Sequence, residues 1–208
     1  MTPSPPVTPS PPAASRRPLL LILLLFAAPL AFAFWLYYGS TWRPTLRTNH
    51  GELIEPVVEL PALTLPLATG DRASPRLLTG KWSLVVIGAG DTGPTDAGCG
   101  ADCREALVYA RQTWLSLGKL VPRVQRVLLA GPACCDLGYL QREHNGLAVV
   151  QAGGPDAGPL LHAFPPPFAR TIFIVDPLGN LMMRYDVHQD PKGLREDLQK
   201  LLELSHIG

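Results

Sequence analysis

The chain has 208 residues, 47% of them hydrophobic and 17% charged, which leaves room for one domain of about 150 residues once an unusual N-terminus is set aside. The formal net charge is +1, and the lysines and arginines are scattered rather than clustered. The electrostatic footprint of a nucleic-acid binder is therefore missing, and that class is set aside. Many of the 23 prolines fall in the N-terminal tail and in Pro165–Pro167, which is local punctuation and not disorder throughout.

Residues 1–18 (MTPSPPVTPSPPAASRRP) carry almost no apolar area to bury and read as a solvated, partly polyproline tail. Residues 19–38, from Leu19 to Tyr38, hold no charge. As a helix at about 1.5 Å per residue they span roughly 30 Å, the thickness of a bilayer's hydrocarbon core. Arg16 and Arg17 precede this run, and Trp35, Tyr37, Tyr38 and Trp42 close it. That is a positive-inside flank and an aromatic interfacial belt, giving a single-pass anchor in the inner (plasma) membrane with a cytoplasmic N-terminus and an exported, periplasmic domain. Arg43 and Arg47 on the far side oppose this orientation. A cleaved signal peptide is the competing reading, because Ala31-Phe32-Ala33 imitates a processing site. The apolar run continues past it into bulky aromatics, which suits a retained anchor.

Residues 39–58 read as a tether and 59–208 as the folded domain. Gly51–Leu67 contains Pro56, Pro61 and Pro66, which forbid a long helix and allow edge strands. A small hairpin is expected between Leu63–Leu67 and Leu77–Leu78, turning at Gly70-Asp71. Lys81–Ile87 is apolar on both faces, as a central strand covered by helices on either side must be. It breaks into a Gly-rich loop holding Cys99 and Cys103, and a helix follows as far as Gly118. The pair Asp102 and Glu105 reads as a capping box, which puts Cys99 in the loop and Cys103 at the first helical position. On that reading Cys103 has the lower pKa through the helix end and Arg104, opposed by Asp96 and Asp102. A buried strand, a loop with two thiols and a helix opening at the second thiol form the active-site unit of a thioredoxin-like fold.

Beyond Gly118, strands are expected at Gln125–Ala130, Leu147–Val150, Thr171–Val175 and Leu181–Tyr185, the last two joined by a turn at Asp176–Asn180. A helix from Lys192 to Leu204 carries the apolar stripe Leu194, Leu198, Leu201 and Leu202. The stretch between the second and third central strands is left as helix or loop. The fold class is α/β, a central mixed sheet flanked by helices, preceded by a single transmembrane helix.

The order of a membrane anchor, an ELPALTL arm, GKWSLVVIG, a CxxxC pair, a strand ending in Asp176-Pro177 with Gly179-Asn180, and a closing amphipathic helix resembles the Sco (SenC-like) family, over roughly Glu59 to Leu204. Those are anchored, thioredoxin-like proteins of copper-centre assembly in cytochrome c oxidase. The resemblance implies that Cys99 and Cys103 match the family's copper-ligating, redox-active cysteines. It also implies an oxidase subunit, or another copper or thiol assembly factor, as partner. The family's third ligand, a histidine, does not carry over: Phe168 occupies its place. The usual Pro beside the first cysteine is absent too. His162, six residues before Phe168, is the candidate substitute ligand if Pro165–Pro167 folds back.

Taken alone, two thiols separated by three residues can form a disulfide or hold a soft ion such as Cu(I). A disulfide that merely staples a short loop is the bland alternative, and it constrains the unfolded chain little. Cys134 and Cys135 are adjacent, and adjacent cysteines are not expected to bond to each other. One is read as packing and the other as free or paired elsewhere, with a resolving or auxiliary role for the first pair as the sharper option. His50, His188 and His206 are expected in solvent, while His144 remains an outside candidate for a metal or proton relay. The stripe of Trp114, Leu115 and Leu117 is read as core. Three functions remain: an assembly factor that reduces thiols or delivers copper, a general thiol–disulfide oxidoreductase, and a non-catalytic scaffold.

Overall fold

A computed structural model describes residues 16–39, 48–88, 99–131, 134–190 and 192–208. Most of the tail, Trp42, Arg43, Arg47 and Asp96 lie outside the described residues. The chain divides into two units, Met1–Thr48 and Asn49–Gly208. In the first, α1 (Arg17–Gly39) is one uninterrupted helix of 23 residues with Pro29 inside it. It is long and apolar enough to cross a membrane, with a mean hydropathy of 2.7 and none of its apolar window buried.

Among its described residues the second unit holds six strands: β1 (Glu52–Glu59), β2 (Trp82–Gly88), β3 (Val124–Ala130), β4 (Leu147–Gln151), β5 (Thr171–Val175) and β6 (Asn180–Asp186). They form one mixed sheet in the order β1-β6-β5-β2-β3-β4. β2, β3 and β4 run parallel, whereas β5 pairs antiparallel with β2, β6 with β5 and β1 with β6. The helices are α2 (Ala101–Ser116), α3 (Leu137–Glu143), α4 (Gly158–His162) and α5 (Gly193–Leu204).

Alternation along the central strands divides the core in two. Leu84 and Val86 of β2, Leu128 of β3 and Ile172 and Ile174 of β5 meet Ala106, Leu107 and Ala110 of α2 and Leu194, Leu198 and Leu202 of α5. On the other face Val85, Ile87, Val127, Leu129, Phe173 and Val175 are covered by Leu63 and Leu65 and by Leu160, Leu161 and Phe164. Every residue of β2 and of β5 is buried, as continuous apolar runs in a sheet covered on both faces require. The stripe expected in α2 is narrower than read, since Leu115 is 56% exposed. Trp114 is only partly buried; its indole donates to the Val124 carbonyl at 2.9 Å, beneath the Arg126 guanidinium.

Three boundaries differ from the sequence reading. The folded unit begins at Asn49 rather than at residue 59, because β1 pairs with β6 and is part of the sheet. The expected hairpin exists only as an isolated bridge, Pro66 to Arg72, with Ala73 donating to Leu65 and Gly70 at a φ of 93° in the turn; its second arm is Arg72–Pro75, not Leu77–Leu78. α2 starts at Ala101 with Gly100 as its cap and no side-chain capping bond. The capping box fails because Glu105 accepts from His188 instead and Asp102 lies inside the first turn, 3.8 Å from Arg170.

Candidate functional site

Adjacent parallel strands deliver their C-terminal ends to one edge of a sheet, so the loops after them meet there. β2 and β3 are such neighbours, paired in register from Trp82 with Val124 to Gly88 with Ala130. The segment after β2 leads to Cys99, and the segment after β3 leads to Cys134 and Cys135. Gly131 donates to the Gly88 carbonyl at 3.2 Å, and Cys134 donates to that of Gly131 at 3.1 Å, which ties Cys134 to the end of β2.

Four sulfurs collect at this edge. Cys99 is disulfide-bonded to Cys103, with a Cα separation of 5.1 Å. Cys134 is bonded to Cys135, correcting the expectation that adjacent cysteines do not pair. The change accompanies a left-handed backbone at Cys135, with φ at 73°, a conformation uncommon for a residue with a β-carbon. The sulfurs of Cys99, Cys134 and Cys135 all lie within 4.8 Å of one another.

Position separates the roles open to these sulfurs. Cys103 is 2% exposed and belongs to the buried face of α2. Cys99 precedes that helix and is half-buried, as are Cys134 and Cys135. The helix N-terminus stabilises a thiolate on either member of the first pair, but only Cys99 is open to a partner. Cys103 stays in the first turn of α2, as the sequence reading has it, but at its third residue rather than its first. Cys134 and Cys135 also line a cleft of about 520 Å³ with Leu65, Pro66, Gln151 and Gly153.

A charged cluster flanks the first turn of α2. Arg170, in left-handed backbone at φ 60°, lies 3.8 Å from Asp102 and 3.9 Å from Asp186, and its Nη1 is 3.1 Å from His188 Nδ1. His188 Nε2 is 2.7 Å from Glu105. Arg170 thus offsets the carboxylate that would oppose a thiolate at Cys103. The His188 side chain is 46% exposed, as expected, yet it bridges two charged groups.

His162 does not join the sulfurs. It is exposed at the end of α4, whose Leu160 and Leu161 pack on the face of the sheet opposite Cys103. Phe168 packs into that same second cluster. Asp176 closes its turn, accepting from the Leu178 and Asn180 backbone at 2.9 and 2.8 Å.

Residues 82–205 match the family model described as transmembrane-like, thioredoxin-like, C-terminal domain. The chain belongs to this family. No curated protein matches this thioredoxin-like chain in sequence. Among solved structures, yeast Sco1 aligns at a TM-score of 0.54 and 15% identity, covering 73% of this chain and 98% of that one. Copper-bound ScoI of Arabidopsis thaliana aligns at 0.53 and 15%, covering 71% and 100%. A putative thioredoxin from Neisseria meningitidis aligns at 0.50 and 17%, covering 71% and 91%. The likeness is one of fold, and the thioredoxin-like fold expected from the sequence is the one found.

Arg170 and His188 were missed as neighbours of the thioredoxin-like site because their sequence surroundings are those of a strand entry and a polar turn. Convergence of Cys134 and Cys135 with Cys99 is the auxiliary-thiol option of the sequence, and it follows from β2 and β3 being neighbours. The available signal was that each cysteine pair follows an apolar run of central-strand type.

Proposed function

We propose that this protein is a membrane-anchored thiol–disulfide exchange protein, held by α1, whose Cys99 and Cys103 keep target cysteines reduced. The observation that carries this reading is the disulfide between half-buried Cys99 and buried Cys103 at the first turn of α2. In the reduced protein the Cys99 thiolate attacks one sulfur of a target disulfide and the target's other sulfur leaves as thiolate. Cys103 then attacks Cys99 Sγ, re-forming the Cys99–Cys103 bond and releasing the second target thiolate. Two electrons pass to the target, and two protons follow from solvent.

The fold shared with Sco proteins supports a place in cytochrome c oxidase assembly, where cysteines must be reduced before they take copper. Arg16 and Arg17 at the start of α1 favour a cytoplasmic N-terminus, with the domain on the periplasmic side of the inner membrane.

The sulfur cluster favours a second reading, carriage of Cu(I) as cargo. Reduced, Cys99 with Cys103, or with Cys134 and Cys135, offers the thiolate donors that Cu(I) prefers. This set replaces a histidine by sulfur, since His162 lies at the end of α4, which packs on the face of the sheet opposite Cys103.

Both readings are tested on full-length protein in detergent micelles. Exchange requires a Cys99–Cys103 potential between about −120 and −270 mV, measured against glutathione and dithiothreitol buffers. A value well below about −300 mV marks a structural staple and contradicts the proposal. Copper carriage requires the reduced chain to hold Cu(I) against a competing chelator and to lose it in Cys99→Ser. Binding should be unchanged in His162→Ala, and failure of the wild-type chain to bind would remove copper carriage.

A further inference from the structure

We propose that Cys134 and Cys135 are a second redox pair that exchanges its disulfide with Cys99 and Cys103 inside the same chain, relaying electrons from an external dithiol to the α2 pair. The inference rests on the reading of Cys99 and Cys103 as redox-active. Three observations carry it. Cys99 Sγ lies within 4.8 Å of both vicinal sulfurs, so side-chain rotation is enough to bring one of them to bonding distance of Cys99. Gly88, at the end of β2, makes the room: a β-carbon there would stand 2.8 Å from Cys134 Sγ. Cys135 holds a left-handed backbone, a costly conformation that persists where surrounding structure fixes it and that clusters at functional positions.

The vicinal pair also faces the 520 Å³ cleft, whereas Cys103 is buried. An external dithiol therefore reaches the vicinal pair directly. One of its thiolates attacks a vicinal sulfur and its second thiol completes the exchange, leaving the external dithiol oxidised and Cys134 and Cys135 reduced. A vicinal thiolate then attacks Cys99 Sγ, and Cys103 leaves as a thiolate at the N-terminus of α2. The remaining vicinal thiolate attacks its neighbour's sulfur and expels Cys99 as thiolate. The vicinal disulfide is restored, and two electrons now reside on Cys99 and Cys103, with two protons taken from solvent.

The test uses full-length chains in micelles carrying Cys103→Ser with Cys135→Ser, or Cys103→Ser with Cys134→Ser, equilibrated in oxidised glutathione and mapped by non-reducing peptide mass spectrometry. At least one variant should form an intramolecular disulfide from Cys99 to the remaining vicinal cysteine in most molecules. Two variants guard against one failing to fold, and the wild-type chain is mapped beside them. Free or glutathionylated cysteines in both would overturn the relay. A Cys134→Ala, Cys135→Ala chain separates the two proposals. If it reduces a target disulfide as fast as wild type with the same external dithiol, the relay is wrong while exchange at Cys99 stands. If the cross-bond forms but the wild-type chain reduces no target, the internal exchange stands and the proposed function fails.

Discussion

Cys134 Sγ lies 2.8 Å from where any residue other than glycine at position 88 would put its β-carbon. Gly88→Ala adds a methyl group 2.8 Å from that sulfur and 3.5 Å from Leu128 Cδ1, overpacking that costs about 1–3 kcal/mol. The displaced sulfur should lower the yield of the Cys99 to Cys134 cross-bond, while the Cys99–Cys103 potential stays at its wild-type value. His144 offers a second test at this scale. It is 2% exposed, and among the described residues neither ring nitrogen has a hydrogen-bond partner. Burial, and then the charges of Arg126 and Arg111, hold its pKa below the usual 6.5. The unfolded chain thus binds a proton that the folded chain refuses, so stability falls as pH drops below about 6.5 toward the folded pKa. His144→Leu should flatten that part of the profile, read from the urea midpoint at pH 5 and pH 7. Of these side chains the sequence exposed the local ones: Cys99 and Cys103 lie four residues apart and needed no knowledge of the fold. Gly88 was indistinguishable from any strand-ending glycine.

At the scale of elements, β1 is held to α5 by one carboxylate. Asp197, 5% exposed, accepts from the backbone of His50 at 2.6 Å and of Gly51 at 3.1 Å, from the His50 ring, and from the Tyr185 hydroxyl. Burial alone would raise its pKa, but the bonds from Tyr185, Gly51 and His50 outweigh burial and hold it low. The fit is close: a side chain at Gly51 would enter the Tyr185 ring, and one at Gly193 would meet His50. Asp197→Ala leaves buried donors unpaired and should cost about 2–4 kcal/mol, with amide exchange accelerated first in β1. The hydrogen bond that the His50 ring donates to Asp197 raises the His50 pKa. Its contribution is therefore present below about 6.5 and lost as pH rises through the folded value, opposite in sign to His144. His50→Ala should remove a stabilisation seen only on the acid side. These ties explain why β1 was read as tether. The prolines marked Glu52–Glu59 as edge material, but its partner β6 lies more than 120 residues away. The capping box failed similarly, because Glu105 is satisfied by His188 from the far end of the chain.

For the whole molecule, strand order decides which cysteines meet. The central strands and α5 were legible from apolar runs and helical spacing, and the thioredoxin-like layout followed from their succession. The β2–β3 adjacency that gathers Cys99, Cys134 and Cys135 is a non-local fact, as is the placement of α4 on the opposite face from Cys103, which leaves His162 away from the sulfurs. In the exchange we propose, the half-buried Cys99 is the attacking thiol and the buried Cys103 the resolving one. The most direct measurement is trapping of targets in membranes of cells expressing the full chain, quenched with acid and alkylated, then resolved without reductant. Cys103→Ser should accumulate a mixed disulfide between Cys99 and a cysteine-bearing oxidase or assembly protein, absent from Cys99→Ser. Equal adducts in the two variants, or none in either, would contradict exchange through Cys99.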